Sequence, residues 1–124
     1  MARPRQTGLT ENELEVMTVL WSHYPLTVGE ILERIHRRPK PAYTSLLTLI
    51  QAMEKKKYIS YVKQGKAYAY SPKIEQKNFK TSELKRLLKR LFGGSSFSLV
   101  MNLIENEQLS DEELAQLRQV LDKK

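Results

Sequence analysis

The chain has 124 residues, 40% of them hydrophobic and 28% charged, which suits one compact domain or a small domain carrying an oligomerisation arm. It contains no cysteine, so disulfides, thiolate metal sites and a cysteine nucleophile are excluded. Its net charge of +7 divides into +1 over residues 1–40, +9 over residues 41–92 and −3 over residues 93–124; the basic middle points to a polyanionic partner, against the plainer alternative of a lysine-rich soluble surface.

In chain order, Met1 to Gly8 is a polar arm whose Arg3 and Arg5 could touch a phosphate or a minor groove, or simply fray. The first helix opens with a capping box, Thr10 with Glu13, and a staple of Leu9 onto Leu14. Leu14, Met17, Leu20 and Trp21 continue its apolar side to about Ser22, with Trp21 as a core anchor, and His23-Tyr24-Pro25 closes it. Thr27 with Glu30 repeats the box and Leu26 with Ile31 the staple. This second helix is predicted to end near His36, with Ile31, Leu32 and Ile35 facing inward, before a connection at Arg37-Arg38-Pro39-Lys40-Pro41.

From Pro41 to Lys57 the spacing predicts a third helix. Leu46, Leu49, Ile50 and Met53 fall at i, i+3, i+4 and i+7, while Thr44, Thr48, Gln51 and Lys55 line the opposite side. Hydroxyls, an amide and an ammonium can bond base edges and phosphates in a major groove, so this is the candidate recognition helix of a helix-turn-helix. The period then changes to two. Tyr58 to Lys63 and Ala67 to Ser71 read as paired strands joined by Gln64-Gly65-Lys66, a hairpin in the position of a wing. Lys63 and Lys66 near its tip would meet backbone phosphates, or else protect the edge of a small sheet.

Ser71 as N-cap and Pro72 at the first position predict a long basic helix from Pro72 to Phe92, stopped by Gly93-Gly94. Residues 95–105 are too apolar for an exposed helix, and a third box and staple, Ser110 with Glu113 and Leu109 with Leu114, opens the last one. The surplus apolar surface of residues 72–124 should meet a second copy. The expected architecture is mostly α with a small β-hairpin: a winged helix-turn-helix DNA-binding domain over residues 1–71 and an α-helical dimerisation region over 72–124, using Leu87, Leu88, Leu91, Leu99, Val100, Leu103, Leu114, Leu117 and Leu121.

No enzyme, cofactor or metal site is expected. His23 and His36 stand alone, the carboxylates belong to capping boxes or the last helix, and no phosphate loop or nucleophile motif appears. The apolar runs fall short of the ~18 residues of a membrane helix and no secretory h-region leads the chain, so no membrane insertion and a reducing, cytoplasmic setting are expected.

Four strings in this order, LTENELEVMTVLW, TLIQAMEKKKYI, GKAYAYSP and SLVMNLIENEQLSDEELAQLRQVL, resemble the penicillinase-repressor family, from Leu9 to Leu121. The resemblance implies a homodimer binding a pseudo-palindromic DNA operator, relieved when a membrane sensor-protease system brings about cleavage in the C-terminal region. It places DNA-facing positions at Thr44, Ser45, Leu47, Thr48 and Gln51 and the scissile bond at Asn102-Leu103. Leu47 stands where the family usually has a basic side chain and would reach a thymine methyl rather than a phosphate or guanine. The copper-responsive relatives use a cysteine cluster that this chain lacks. The alternative is a winged-helix module for protein assembly without sequence-specific DNA binding.

Overall fold

A computed structural model describes residues 8–124, so the expected arm lies outside the described residues except for Gly8. The elements are α1 (Glu11–Ser22), α2 (Val28–Glu33), α3 (Tyr43–Lys55), β1 (Ile59–Gln64), β2 (Ala67–Pro72), α4 (Gln76–Phe92), α5 (Ser96–Glu105) and α6 (Asp111–Asp122). They form two compact units, the first ending at Lys80 and the second spanning Thr81–Lys124.

In the first unit α1 and α2 begin as the sequence dictates. Thr10 accepts the Glu13 N–H at 3.1 Å while Glu13 Oε1 accepts the Thr10 N–H at 2.9 Å, and Thr27 and Glu30 repeat the exchange. The buried stripe of α1 differs from the expected one. Glu13, Val16, Met17 and Leu20 are buried and Leu14 lies at the surface, because the helix turns its i, i+3, i+4, i+7 face one residue earlier and accepts a carboxylate into it. The α2 helix ends at Glu33, short of His36, yet Ile35 is still fully buried. Leu46, Ile50 and Met53 of α3 join Leu20, Leu26, Ile31 and Ile59 in one core, with Leu49 packed partly against it.

The wing is an antiparallel pair with Tyr61 opposite Tyr70 and Lys63 opposite Tyr68. Gly65 takes φ +62° as the first residue of the two-residue turn Gly65-Lys66, a conformation open to glycine without steric cost. The base of β2 is tied to the segment before α2 by two backbone bonds between Leu26 and Tyr70, of 3.0 and 2.8 Å. The expected start of the fourth helix at Ser71-Pro72 is not what forms. Ser71 and Pro72 still pair with Ser60 and Ile59, and the Lys73 N–H reaches the Tyr58 carbonyl, so strand pairing holds the chain extended and α4 starts at Gln76. Trp21 anchors that exit: its indole N–H donates to the Ile74 carbonyl at 2.7 Å and its ring lies 5.6 Å from Phe79.

The second unit contains the rest of α4 with α5 and α6. Gly93 and Gly94, at φ +59° and +85°, end α4 as expected. Ser95 caps α5 by accepting the Ser98 N–H, and the box of Ser110 and Glu113 opens α6. None of these three helices has a buried residue.

Candidate nucleic-acid interface

The α3 helix divides by face. Leu46, Ile50 and Met53 are buried, and Thr44, Ser45, Thr48, Gln51 and Lys55 are exposed. Leu47 falls between the two: it is half-buried and packs partly on the core, so only part of it is presented outward. Thr48 donates its hydroxyl to the Thr44 carbonyl at 3.0 Å, which leaves a methyl group and an acceptor oxygen facing out. Lys63 and Lys66 are exposed on the wing, and no salt bridge involves either among the described residues. Tyr61 and Tyr68, their ring centroids 4.6 Å apart, stack on the wing face that also carries Lys63.

One tie holds the connection before α3 and a second holds the C-cap of α3. Before its start, Arg37 bonds Glu15 at 3.0 Å and the Pro39 carbonyl at 3.2 Å, pinning the connection to α1, while Lys40 reaches the last carbonyls of α2. At its end, Lys56 donates to Glu13 Oε2 at 2.8 Å across 43 residues of sequence. Glu13 is 3% exposed and is the charged residue of the core among the described residues. Burial alone would push its carboxyl up, but the Lys56 ammonium and the Thr10 N–H outweigh that and hold it below the ordinary carboxylate range. The same contact raises the Lys56 ammonium. Sequence reasoning assigned Glu13 to the capping box alone. The missed signal is that Glu13 occupies the first place of the stripe continued by Val16, Met17 and Leu20.

Beyond Lys56 the chain turns through Lys57 in the left-handed region at φ +69°. The Lys57 N–H returns to Glu54 and the Tyr58 N–H to Met53, each at 3.0 Å, the paired bonds of a Schellman motif that launches the wing from the end of α3.

The candidate dimerisation residues lie on helices without a buried core. Leu91, Val100, Leu117 and Leu121 are exposed, and Leu87, Leu88, Leu99, Leu103 and Leu114 are half-buried. Asn102 and Leu103 lie within α5, where the Asn102 carbonyl accepts from the Asn106 backbone and side chain. The two histidines do not stand apart: His23 and His36 line one open pocket of about 260 Å³ with Arg34. Among the described residues no group of three or more His, Cys, Asp or Glu could hold a metal ion, and no helix is long and apolar enough to cross a membrane.

A family model described as penicillinase repressor matches residues 9–123. The chain is 33% identical over 118 residues to a penicillinase repressor of Bacillus licheniformis, covering 92% of this chain and 89% of that one. With a penicillinase repressor of Staphylococcus aureus it shares 31% over 117 residues, 94% of this chain and 93% of the relative. A solved MarR family protein from Bacillus stearothermophilus has a TM-score of 0.55 at 21% identity, over 93% of this chain and 71% of that one, a likeness of fold.

Proposed function

Since the chain belongs to the penicillinase repressor family, we propose that it is a dimeric repressor of transcription that binds a pseudo-palindromic operator in double-stranded DNA. The observation that carries this is α3: a helix held at its C-cap by Lys56 on Glu13 and preceded by a connection that Arg37 ties to α1, whose outward residues, Thr44, Ser45, Thr48, Gln51 and Lys55, are exposed and include no acid. Lysines position the protein on phosphates, and the short polar side chains read the groove. With its donor turned back to the Thr44 carbonyl, Thr48 reads as an acceptor with a methyl group, which suits a thymine methyl or a cytosine amine. Leu47 adds apolar contact at the flank. Lys63 and Lys66 take the neighbouring backbone from the wing.

Two copies associate through the exposed apolar faces of α4, α5 and α6, and the twofold axis sets half-site separation at about one helical turn or a multiple. Relief of repression runs through a sensor-protease system that cuts at Asn102-Leu103. Because that bond sits in a helix, α5 must open locally before a protease can take it. The protein works in the cytoplasm, where the DNA is.

Selection from a random DNA pool at fixed moderate salt tests the proposal. Recovery of one sequence arranged as an inverted repeat is the expected result. A pool that stays random after repeated rounds overturns sequence-specific repression and favours a protein-assembly role for the winged helix.

A further inference from the structure

The junction between α3 and the wing breaks a local rule. The residue after a helix C-cap in a Schellman motif adopts the left-handed conformation, for which glycine is the default because a Cβ is strained there. This chain puts Lys57 at that position, at φ +69°. The two bonds that close the motif are made by backbone N–H groups, so a glycine would make both, and nothing in the turn requires a lysine. Glu107 closes α5 in the same conformation, at φ +56°, so strain alone assigns no role; what distinguishes Lys57 is the pair of lysines that share its pocket.

We infer that Lys57, with Lys55 and Lys73, forms a binding subsite for a DNA phosphodiester at the base of the wing. The inference rests on the DNA-binding function proposed above. The three lysines, from the end of α3 and the exit of β2, line one open pocket of about 390 Å³ together with Ser60, Tyr61 and Glu54. Among the described residues none of the three ammonium groups makes a salt bridge or a side-chain hydrogen bond, whereas Lys56 between them is committed to Glu13. The one carboxylate in the lining, Glu54, is half-buried, and its charge bears on Tyr70. Lys55 also belongs to the exposed face of α3, so the pocket continues the reading face toward the wing. Three free cations, a serine hydroxyl and a tyrosine suit the oxygens of a backbone phosphate. A helix C-terminus also attracts lysines without any ligand, and the test separates that role from this one.

The experiment compares the full chain with Lys57→Gly, Lys57→Gln and Lys73→Gln in thermal melts and in DNA titrations from 50 to 300 mM salt. Lys57→Gly should melt about 2–5 °C higher through relief of strain and still bind both the selected site and random DNA more weakly, by about tenfold per subunit at 0.1 M salt, with the slope of log K on log salt shallower by about 0.9 per subunit, or about 1.8 for the dimer. Lys57→Gln, which keeps the strained backbone, should melt like the parent and lose the same slope, as should Lys73→Gln. The inference is overturned if Lys57→Gly binds with the parent slope. It is also overturned if Lys57→Gln lowers the melting temperature and leaves the slope unchanged, since the lysine then serves only the helix end. A parent protein without salt-dependent DNA binding would overturn the function proposed above as well, and that result is seen before any variant is made.

Discussion

Glu13 carries two jobs on two oxygens. One closes the capping box of α1 and the other takes the ammonium of Lys56 at the end of α3, so one buried carboxylate links α1 to α3. The folded state holds the Glu13 carboxyl below its ordinary value, so the pair contributes fully above the unfolded carboxyl range and loses that contribution as pH falls through the folded value. The folded state raises Lys56, so on that side the contribution is full below the ordinary lysine range and is lost as pH rises through the raised value. Both terms are complete near neutrality. Glu13→Gln keeps an amide oxygen for the Thr10 N–H and removes the charge that holds Lys56. We expect it to cost about 1–3 kcal/mol at pH 7, toward the lower end because Lys56 is half exposed to water. Denaturant unfolding at pH 3.5 and pH 7 checks this: the gap between parent and variant should shrink in acid. An equal gap at both pH values would mean that the amide fails for a reason of shape and that the ion pair is not the cause.

Three helices, α1, α2 and α6, open with a serine or threonine answered by a glutamate, and α5 has a serine cap. The α3 helix is treated otherwise. Its N-cap is Ala42, with no side-chain bond to the first turn, and its far end is closed through a strained lysine. A left-handed residue is not peculiar to α3, since Glu107 at φ +56° closes α5 in the same way; what sets α3 apart from α1, α2, α5 and α6 is the missing side-chain cap at its start. Ala42 has the extended backbone of an N-cap, φ −67° and ψ 150°, so Ala42→Ser can accept a first-turn N–H without rearrangement. It should add about 0.5–2 kcal/mol and raise the melting temperature by several degrees. No rise in a thermal melt would mean that the free amides of α3 have no need of a cap.

The same contrast explains what could be read in advance. Capping boxes, the α3 stripe and the glycine turn of the wing are written within a few neighbouring residues; the boxes form as expected, the stripe forms with Leu49 only half-buried, and the turn tightens to Gly65-Lys66 as Gln64 joins β1. Glu13 with Lys56 and the late start of α4 depend on partners remote in sequence, Lys56 for the first and Ile59 for the second. Ser71-Pro72 carries a sound local signal for a helix start, and pairing with β1 overrides it. On the outward face of α3, exposure followed from periodicity, whereas the turned-back hydroxyl of Thr48 and the half-burial of Leu47 depend on the packed structure.

For the whole molecule, the second unit poses the stability question. Three helices with no buried residue and with Leu91, Phe97, Val100, Leu117 and Leu121 exposed leave apolar surface that water disfavours. In the proposed dimer a second copy covers it at no cost in new sequence, and a twofold interface uses each residue twice. Burying one leucine contributes about 1.5–3 kcal/mol, so losing it from both copies weakens association by about a hundredfold or more. Leu121 suits the test because it is 70% exposed within the single chain and lies in the last turn of α6, where a lysine agrees with the helix dipole. Leu121→Lys should therefore keep its helix content in circular dichroism and shift to monomer in sedimentation at micromolar concentration. Its melting temperature should lose the parent's dependence on protein concentration. Binding to a two-half-site operator should fall with it, while affinity for a single half-site stays level, since α3 and the wing are untouched. A variant that sediments as the parent does would remove the end of α6 from the interface and leave α4 and α5 to carry the pairing.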